Sequence, residues 1–220
     1  YSYYSRALSQ EYDERFCDPA RIEEVILAAL EAGVRGMMLS LGSPRQDMVV
    51  TALGRACQAF GVRIPTIVIL TPPFEQHAEL LQRANAQAGL LHGQVTDTLF
   101  RRGPRDFAPE LAEHMALMRR LGLAPGASTH NAGETIPAMA GCDVAVVNTP
   151  VNKIAWRMCP CPEDVMGALA RTDKTVIGMK PLAMGRIPPE EGMAYAISRP
   201  EVDMVVVGIA SPHEARETFG

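Results

Sequence analysis

Short apolar runs alternate along the chain with longer segments of helical periodicity. Most of these runs are continuously apolar, which is typical of strands buried on both faces of a parallel sheet. They predict seven strands, at 36–41, 66–71, 88–93, 125–130, 144–149, 175–180 and 204–209.

The segments between the strands repeat apolar residues every three or four positions, as one face of a helix does. The first such helix starts at Asp18 and Pro19, an N-cap and a first-turn proline, and stops at Gly33. The same periodicity predicts helices at 46–60, 74–86, 109–121, 133–140, 162–170 and 189–198.

Strands that alternate with helices fit an open doubly wound sheet or a closed (β/α)₈ TIM barrel. No strand is followed by the GxGxxG turn of a dinucleotide-binding open sheet, and the strand count favours the barrel. We therefore expect one compact barrel domain over residues 1–220, with its first strand in residues 1–10 or in a missing N-terminal segment. We expect the last helix to be missing as well, because the chain stops at Gly220.

Composition and charge exclude several classes of protein. Hydrophobic residues make up 47% of the chain and charged residues 21%, the reverse of a disordered composition. The net charge of −4 offers no basic footprint for a nucleic acid or a membrane surface. No apolar run reaches the roughly 18 residues of a membrane helix, and the first residues do not form a signal peptide. The expected partner is a small-molecule substrate, and the oligomeric state stays open.

The cysteines are five in number and scattered, which is typical of reduced thiols in the cytoplasm. Cys159 and Cys161 form a CxC pair without a second pair, so a zinc site there needs distant ligands. We interpret this segment as an ordinary loop and predict no metal.

Polar residues stand where the apolar runs end, and in a barrel the C-terminal ends of the strands carry the chemistry. Burying such groups without a partner costs several kcal/mol, so they line a wet cavity or bond to one another. They are Ser40, Thr71, His92, Ser128, Thr129, His130, Asn148, Lys180 and Ser211.

The histidines and the lysine are the candidate catalytic residues: His92, Lys180 and His130. His92 can donate a proton, bond an oxyanion or bind a metal; its structural alternative is a bond to neighbouring backbone. Lys180 can hold a phosphate or carboxylate or form a Schiff base, or else it extends from the rim to water. His77 and His114 fall inside predicted helices, and we expect them to be solvated.

Two further segments offer binding groups. Asn148 and Asn152 suit an amide or a sugar, or they cap the turn between Pro150 and the next helix. Gly208 and Ser211 precede the last helical turn, where an anion can bind to free backbone N–H groups; alternatively Ser211 is a plain N-cap.

Several segments together resemble the aldo-keto reductase superfamily. They are LLHG (90–93), GASTHN (126–131), NTPVN (148–152), VIGMKPLAMGRI (176–187) and VVVGIASP (205–212). The resemblance covers roughly residues 88–218. It implies a (β/α)₈ barrel that binds NADPH at the strand ends and reduces carbonyl compounds.

The resemblance also implies a catalytic tetrad of Asp, Tyr, Lys and His, of which this chain matches one member. His92 corresponds to the histidine that ends the family's fourth strand. Residues 37–44 hold neither the Asp nor the Tyr, and Thr71 stands near the place of the Lys. We therefore expect the family's tetrad to be largely lost, and with it the usual proton donor.

The cofactor positions are altered too. Ser128 matches a contact to the nicotinamide carboxamide, whereas Thr129 replaces its Asn partner and Asn148 replaces a Gln. Lys180 and Met179 replace a serine and an aromatic residue. By resemblance the cofactor is NADP, and the candidate cofactor-binding residues are Ser128, Thr129, Asn148, Gly208 and Ser211.

Three functions remain open on the sequence alone. The chain is a divergent barrel that acts on a small anionic or carbonyl metabolite as a lyase, isomerase or hydrolase. Alternatively it is an NADP-dependent oxidoreductase with a non-standard proton donor, or a barrel that only binds a metabolite or a partner chain. An enzyme is the preferred interpretation.

Overall fold

The computed structural model describes residues 18–42 and 44–220 of the protein. Its strands are β1 (Met37–Ser40), β2 (Thr66–Leu70), β3 (Ala86–Leu91), β4 (Ala124–Ser128), β5 (Val146–Pro150), β6 (Thr175–Met179) and β7 (Met204–Val206). Its helices are α1 (Pro19–Glu31), α2 (Gln46–Phe60), α3 (Ala78–Arg83), α4 (Gly93–Arg102), α5 (Pro104–Arg120), α6 (Ala132–Ala138), α7 (Pro162–Leu169), α8 (Pro189–Ile197) and α9 (Pro212–Phe219). A 3₁₀ turn (Glu75–His77) precedes α3.

The strands form one parallel sheet in chain order, from β1 to β7. Each strand pairs only with its neighbours along the chain, so the sheet curls into a nearly closed ring with the helices outside, and the predicted TIM barrel is confirmed. Within the described residues β7 and β1 do not pair. The strand predicted in residues 1–10 lies outside the described residues.

Helices close the gap in the ring between β7 and β1. We expected the last helix to be missing, and the structure has α9 after β7. Its buried Ala215 packs against Ala28 and Ala29 of α1. Small side chains let the two helix backbones approach closely. The two ends of the described sheet are therefore joined through helices.

Two apolar layers hold the barrel. Inside the ring, Ala88, Leu90, Val146 and Ile177 from β3, β5 and β6 are buried against each other. A larger cluster fills the space between the sheet and the helices. The interior is narrow at β4, because a Cβ on Gly126 would stand 2.4 Å from Leu90 Cδ2 and 2.6 Å from the Val146 oxygen. Glycine is therefore required there for close approach of neighbouring strands.

The element boundaries differ from the predicted ones around the site. Helix α4 (Gly93–Arg102) was missed, and the predicted helix 74–86 is shorter and begins with a 3₁₀ turn. The predicted strand 88–93 ends at Leu91, because His92 leaves the sheet and caps α4. The helix predicted at 109–121 begins at Pro104, directly after Gly103 (φ 144°) separates it from α4.

None of the helices in the described part of the chain is both long and apolar enough to span a membrane.

Candidate functional site

The predicted polar residues stand at the C-terminal rim of the barrel. Ser40 and Ser128 end β1 and β4, and Asn148 lies within β5. Because all strands run parallel, these ends meet at one side of the sheet. Thr71, His92 and Lys180 are the first residues after β2, β3 and β6.

A cavity of about 670 Å³ opens over the ends of β1, β2 and β3. Ser40, Thr71 and His92 line it on the barrel side, and Arg102, Glu110 and His114 of the outer helices line it opposite, together with Leu41, Gly42, Gln94, Val95, Thr98 and Leu99. His92 is the group of the predicted catalytic set that borders this cavity; Lys180 and His130 do not line it. The cavity therefore offers hydroxyl groups, two imidazoles and one charged group of each sign to a ligand.

His92 is fixed by the start of α4. Its Nδ1 accepts a hydrogen bond from the Gln94 backbone N–H at 3.2 Å. A neutral imidazole whose Nδ1 accepts carries its proton on Nε2, so His92 presents a donor. Burial lowers the pKa of His92, and the nearby His130 and Lys180 lower it further against the opposing effect of Asp97. The structure therefore favours the neutral, Nε2-protonated ring at neutral pH.

His130 carries the opposite tautomer. Its Nδ1 lies 3.1 Å from Asp97 Oδ2, and an ionised carboxylate only accepts, so Nδ1 is the donor. The lone pair of a neutral His130 ring is then on Nε2. His92 and His130 together offer one hydrogen-bond donor and one proton acceptor, the combination that general acid–base chemistry uses.

Asp97 of α4 organises this part of the rim, and sequence reasoning missed it. Its Oδ1 accepts from Thr129 Oγ1 at 2.7 Å and from the His130 backbone N–H at 3.2 Å. Thr129 Oγ1 in turn lies 2.9 Å from Thr135 Oγ1. The spacing of five residues from His92 is the available sequence signal, and it has meaning only once α4 is recognised as a helix.

A second chain of contacts links β4, β5 and β6. Asn148 Nδ2 donates to Ser128 Oγ at 2.7 Å and lies 3.4 Å from Met179 Sδ. Lys180 Nζ approaches the same sulfur at 3.8 Å. The buried Asn148 Oδ1 has no hydrogen-bond partner. An unmet buried acceptor costs free energy, so a hydrogen-bond donor brought to this oxygen is favoured.

The two chains of contacts adjoin at Gly93. A Cβ on Gly93 would lie 3.3 Å from His130 Cε1 and 3.6 Å from Ser128 Cβ. His130 and Lys180 both lower the pKa of His92. The structure thus brings His92, His130, Ser128, Asn148 and Lys180 to one region of the rim.

Lys180 differs from the other two lysines of the chain. Lys153 Nζ pairs with Glu191 Oε1 at 2.5 Å, and Lys174 Nζ lies 3.5 Å from Asp173 Oδ1. Among the described residues no carboxylate lies within ion-pair distance of Lys180. Burial lowers the pKa of the Lys180 amine, and the Arg157 charge lowers it further. Lys180 also has a left-handed backbone conformation (φ 59°), which is uncommon outside glycine.

Three predicted cofactor-binding residues are placed differently. The Thr129 hydroxyl is occupied by Asp97 and Thr135, as described above. Gly208 borders a separate cavity of about 440 Å³ beyond β7, lined also by Arg186, Glu214 and Glu217. Ser211 is the N-cap of α9, where its Oγ accepts from the Glu214 N–H at 3.1 Å.

Two other polar residues have structural roles. Asn152 holds the following loop: its Oδ1 accepts from the Trp156 N–H at 2.7 Å, and its Nδ2 donates to the Trp156 oxygen at 2.9 Å. The expectation that His77 is solvated is wrong, since its side chain is buried with 2% exposure. His114 is half-buried and its ring packs against Phe74. The helical pattern alone did not show that the His77 and His114 rings are turned toward the protein interior.

Among residues 18–42 and 44–220, no cluster of three or more His, Cys, Asp and Glu side chains has the arrangement of a metal site.

The fold is that of the aldo-keto reductases. The chain is similar to a putative 2,5-diketo-D-gluconic acid reductase B, with 15% identity, a TM-score of 0.65, and coverage of 92% of this chain and 77% of that chain. It is similar to the aldose reductase from Schistosoma japonicum (16% identity, TM-score 0.64, coverage 92% and 79%). It is also similar to an aldo-keto reductase from Bacillus halodurans in its holo form (14% identity, TM-score 0.66, coverage 92% and 81%).

No family model matches the sequence, and no curated protein matches it. The resemblance to aldo-keto reductases is confirmed in the fold, and identities of this size extend no further than the fold.

The rim fits one end of the dinucleotide that this fold implies. Ser128 and the unbonded Asn148 Oδ1 are side by side and suit a carboxamide. At the start of α9, the Glu214 carboxylate already accepts from the Ala210 N–H at 2.7 Å, and Glu217 borders the same cavity. A phosphate in that cavity meets two carboxylates and an occupied N–H, against the single guanidinium of Arg186. The residues beyond β7 therefore do not fit the phosphate end of NADP.

Proposed function

We propose that this chain is an enzyme that acts on a small anionic carbonyl compound at the C-terminal rim of the barrel. The family's reductase tetrad is lost, and Lys180 serves as the nucleophile that forms a Schiff base. The carrying observation is that Lys180, alone of the three lysines, has no carboxylate partner among the described residues and follows its strand at the same rim as His92. Burial and the neighbouring Arg157 favour its neutral, nucleophilic form.

The reaction begins when the Lys180 nitrogen bonds to the carbonyl carbon and the π electrons of the C=O bond move to oxygen. His92 Nε2–H donates a hydrogen bond to that oxygen, and the His130 Nε2 lone pair accepts a proton from nitrogen. The oxygen gains two protons, one from nitrogen and one from His92 or water, and leaves as water. A protonated imine on Lys180 remains, and it withdraws electrons from the neighbouring carbon, as lyases and isomerases require.

Borohydride trapping tests this proposal. The protein is incubated with a panel of small aldehydes and ketones, reduced with borohydride, and mapped by mass spectrometry. The expected result is a reduced adduct on Lys180, absent in Lys180→Arg, which keeps the charge but does not form a Schiff base. Lys153→Gln is the matched control and retains the adduct. Adducts spread evenly over the three lysines, or no adduct at all, would contradict the proposal.

The second candidate is an NADP-dependent oxidoreductase. The fold similarity and the adjacent Ser128 and Asn148 favour it, and the Glu214 and Glu217 carboxylates oppose it. Titration of NADPH fluorescence separates the two candidates. Saturable quenching that Asn148→Ala weakens supports the reductase; no quenching at millimolar NADPH removes it. A protein that binds carbonyl compounds without trapping or turnover supports the third interpretation, a barrel that only binds its ligand.

We also propose that the protein works in the cytoplasm, on small molecules and not on nucleic acids or membranes. Cysteine usage and net charge support this proposal. Localisation of the tagged full-length protein in its own cells tests it, and export of the chain would contradict it.

A further inference from the structure

Two arginines contact the only tryptophan of the chain, in the loops after β5 and β6. The guanidinium carbon of Arg157 lies 5.3 Å from the centre of the Trp156 ring, and that of Arg186 lies 5.0 Å from it. An aromatic face attracts the flat face of a guanidinium, whose N–H donors lie in the guanidinium plane. The arginine–tryptophan cluster (Trp156, Arg157 and Arg186) therefore concentrates two permanent positive charges on one platform.

The backbone under this cluster is held in unusual conformations. Six non-glycine residues of the described chain have positive φ, and five of them lie in these two loops: Ala155 (57°), Arg157 (59°), Lys180 (59°), Ala183 (47°) and Met184 (62°). Such conformations cost free energy and are found preferentially at functional sites. Asn152 fixes the first loop through its two bonds to Trp156. The structure therefore holds the cluster in place before any ligand arrives.

The cluster adjoins the candidate nucleophile. Strands β5 and β6 pair in the sheet, so their loops emerge side by side at the rim. The Arg157 charge lowers the pKa of Lys180, and the Lys180 charge lowers that of His92. A molecule that reaches Lys180 is therefore within reach of Arg157.

The charges here oppose those of the whole chain. The protein has a net charge of −4, yet Lys180, Arg157 and Arg186 gather in one part of the rim. Arg186 Nη1 donates to the Ala183 oxygen at 2.9 Å, and among the described residues no carboxylate pairs with Arg186. Glu214 and Glu217 line the same cavity as Arg186, whereas Arg157 and Lys180 do not border it. Such a concentration of cations in a rim attracts anions.

We propose that the arginine–tryptophan cluster is a binding subsite for the phosphate group of a small phosphorylated aldehyde or ketone, whose carbonyl carbon lies at Lys180. Two guanidiniums match the several acceptor oxygens of a phosphate monoester. The substrate class rests on the Schiff base proposed above, whereas phosphate binding by the cluster does not.

Inorganic phosphate tests the subsite alone. The indole N–H resonance of Trp156 is the only one in the chain, and phosphate is titrated at constant ionic strength set with sodium chloride. We expect a saturable shift of this resonance. Arg157→Gln and Arg186→Gln each weaken phosphate binding about tenfold or more, as the loss of a charged hydrogen bond does. Arg55→Gln, an exposed arginine on α2 with the same change of charge, leaves it unchanged.

Trapping with a matched pair of compounds tests the substrate class. Glyceraldehyde 3-phosphate and glyceraldehyde are each incubated at low concentration with the protein and borohydride. We expect the phosphorylated compound to be trapped on Lys180 about tenfold more efficiently, and this preference to disappear in Arg157→Gln and Arg186→Gln.

The two experiments fail in different ways. Equal trapping of both compounds, or a Trp156 resonance that does not respond to phosphate, would overturn the subsite while the Schiff base stands. A phosphate response without any adduct on Lys180 would leave the subsite in place and overturn the proposed function.

Discussion

Lys180, His92 and Asp97 set the electrostatics of the rim. Lys180 and His92 are cations when protonated. Asp97 is the anion that raises the pKa of His92, against the effect of Lys180. Burial adds to the mutual repulsion by disfavouring any charge on Lys180 or His92. Both bases are therefore shifted toward their neutral forms, which are the forms that attack a carbonyl or hand on a proton.

The pKa of His92 tests this coupling. The Lys180 ammonium lowers that pKa, so Lys180→Met raises it toward the ordinary value near 6.5. Asp97 raises it, so Asp97→Asn lowers it further. A pH titration of the ring resonances by NMR measures both shifts.

The lowered pKa of His92 also makes the stability of the protein depend on pH. The unfolded chain binds a proton on His92 more readily than the native state, so acidification through about pH 6.5 lowers the contribution of His92 to the free energy of unfolding. If the His92 ring titrates with the same midpoint in the parent protein and in Lys180→Met, Lys180 and His92 do not interact.

Asp97 also has a structural role that is separable from its charge. Asp97→Asn weakens the bonds to Thr129 and to His130, and we expect the free energy of unfolding to fall by about 1–3 kcal/mol. Asp47→Asn removes the same charge from an exposed ion pair with Arg83 and is expected to cost less than about 1 kcal/mol. Urea unfolding of the two variants gives the comparison; similar losses would mean that the Asp97 network contributes little.

The sequence predicted those residues of the site whose position beside a strand is visible in the apolar pattern. His92, Asn148 and Lys180 stand out because each follows or interrupts an apolar run. Asp97 and Arg157 lie in segments whose polar residues look ordinary along the sequence. Their roles depend on which residues face each other across α4 and the β5 loop, and that is a three-dimensional property.

Strand β4 shows how the barrel interior constrains a single element. Gly126 lies where a methyl group would meet Leu90 and Val146, both from neighbouring strands of the ring. The interior therefore tolerates almost no added volume at that point, and β4 must be built around glycine, although glycine is a poor strand former.

Gly126→Ala is expected to destabilise the fold by about 1–3 kcal/mol, because the neighbours cannot yield without moving the strands. Gly54→Ala, in the middle of α2 with nothing within 4 Å of the added carbon, is expected to stabilise by about 0.5–1 kcal/mol. Thermal and urea unfolding of the two variants measure the contrast. A neutral Gly126→Ala would mean that β3, β4 and β5 are packed less closely than the structure shows.

Periodicity predicted the elements best where burial alone decides the residue types. Helix α2 was predicted at its observed bounds (Gln46–Phe60), and each of the seven predicted strands overlaps an observed one. Helix α4 was missed because Gln94 and two arginines occupy its exposed positions, Asp97 bonds to Thr129 and His130, and only Gly93, Thr96 and Leu99 are buried. Small and polar buried residues leave no apolar pattern to detect.

The whole molecule depends on how the two ends of the described sheet meet. Within residues 18–42 and 44–220, β7 and β1 do not pair. The contact of α9 with α1 therefore connects the two ends of the sheet. Ala28, Ala29 and Ala215 are almost fully buried there. The rim is shaped by this contact too, because α9 starts directly after the loop that follows β7.

Ala215→Leu tests the closure. The three added carbons have no space between the two helices, and overpacking of this kind costs about 1–3 kcal/mol. In a chain of this length that corresponds to a lower melting temperature by roughly 2–4 °C per kcal/mol. Ala116→Leu adds the same side chain at an exposed position of α5 and is expected to change the free energy of unfolding by less than about 0.5 kcal/mol. Equal stabilities of the two variants would mean that α9 does not pack on α1 in solution, and that another part of the chain closes the ring.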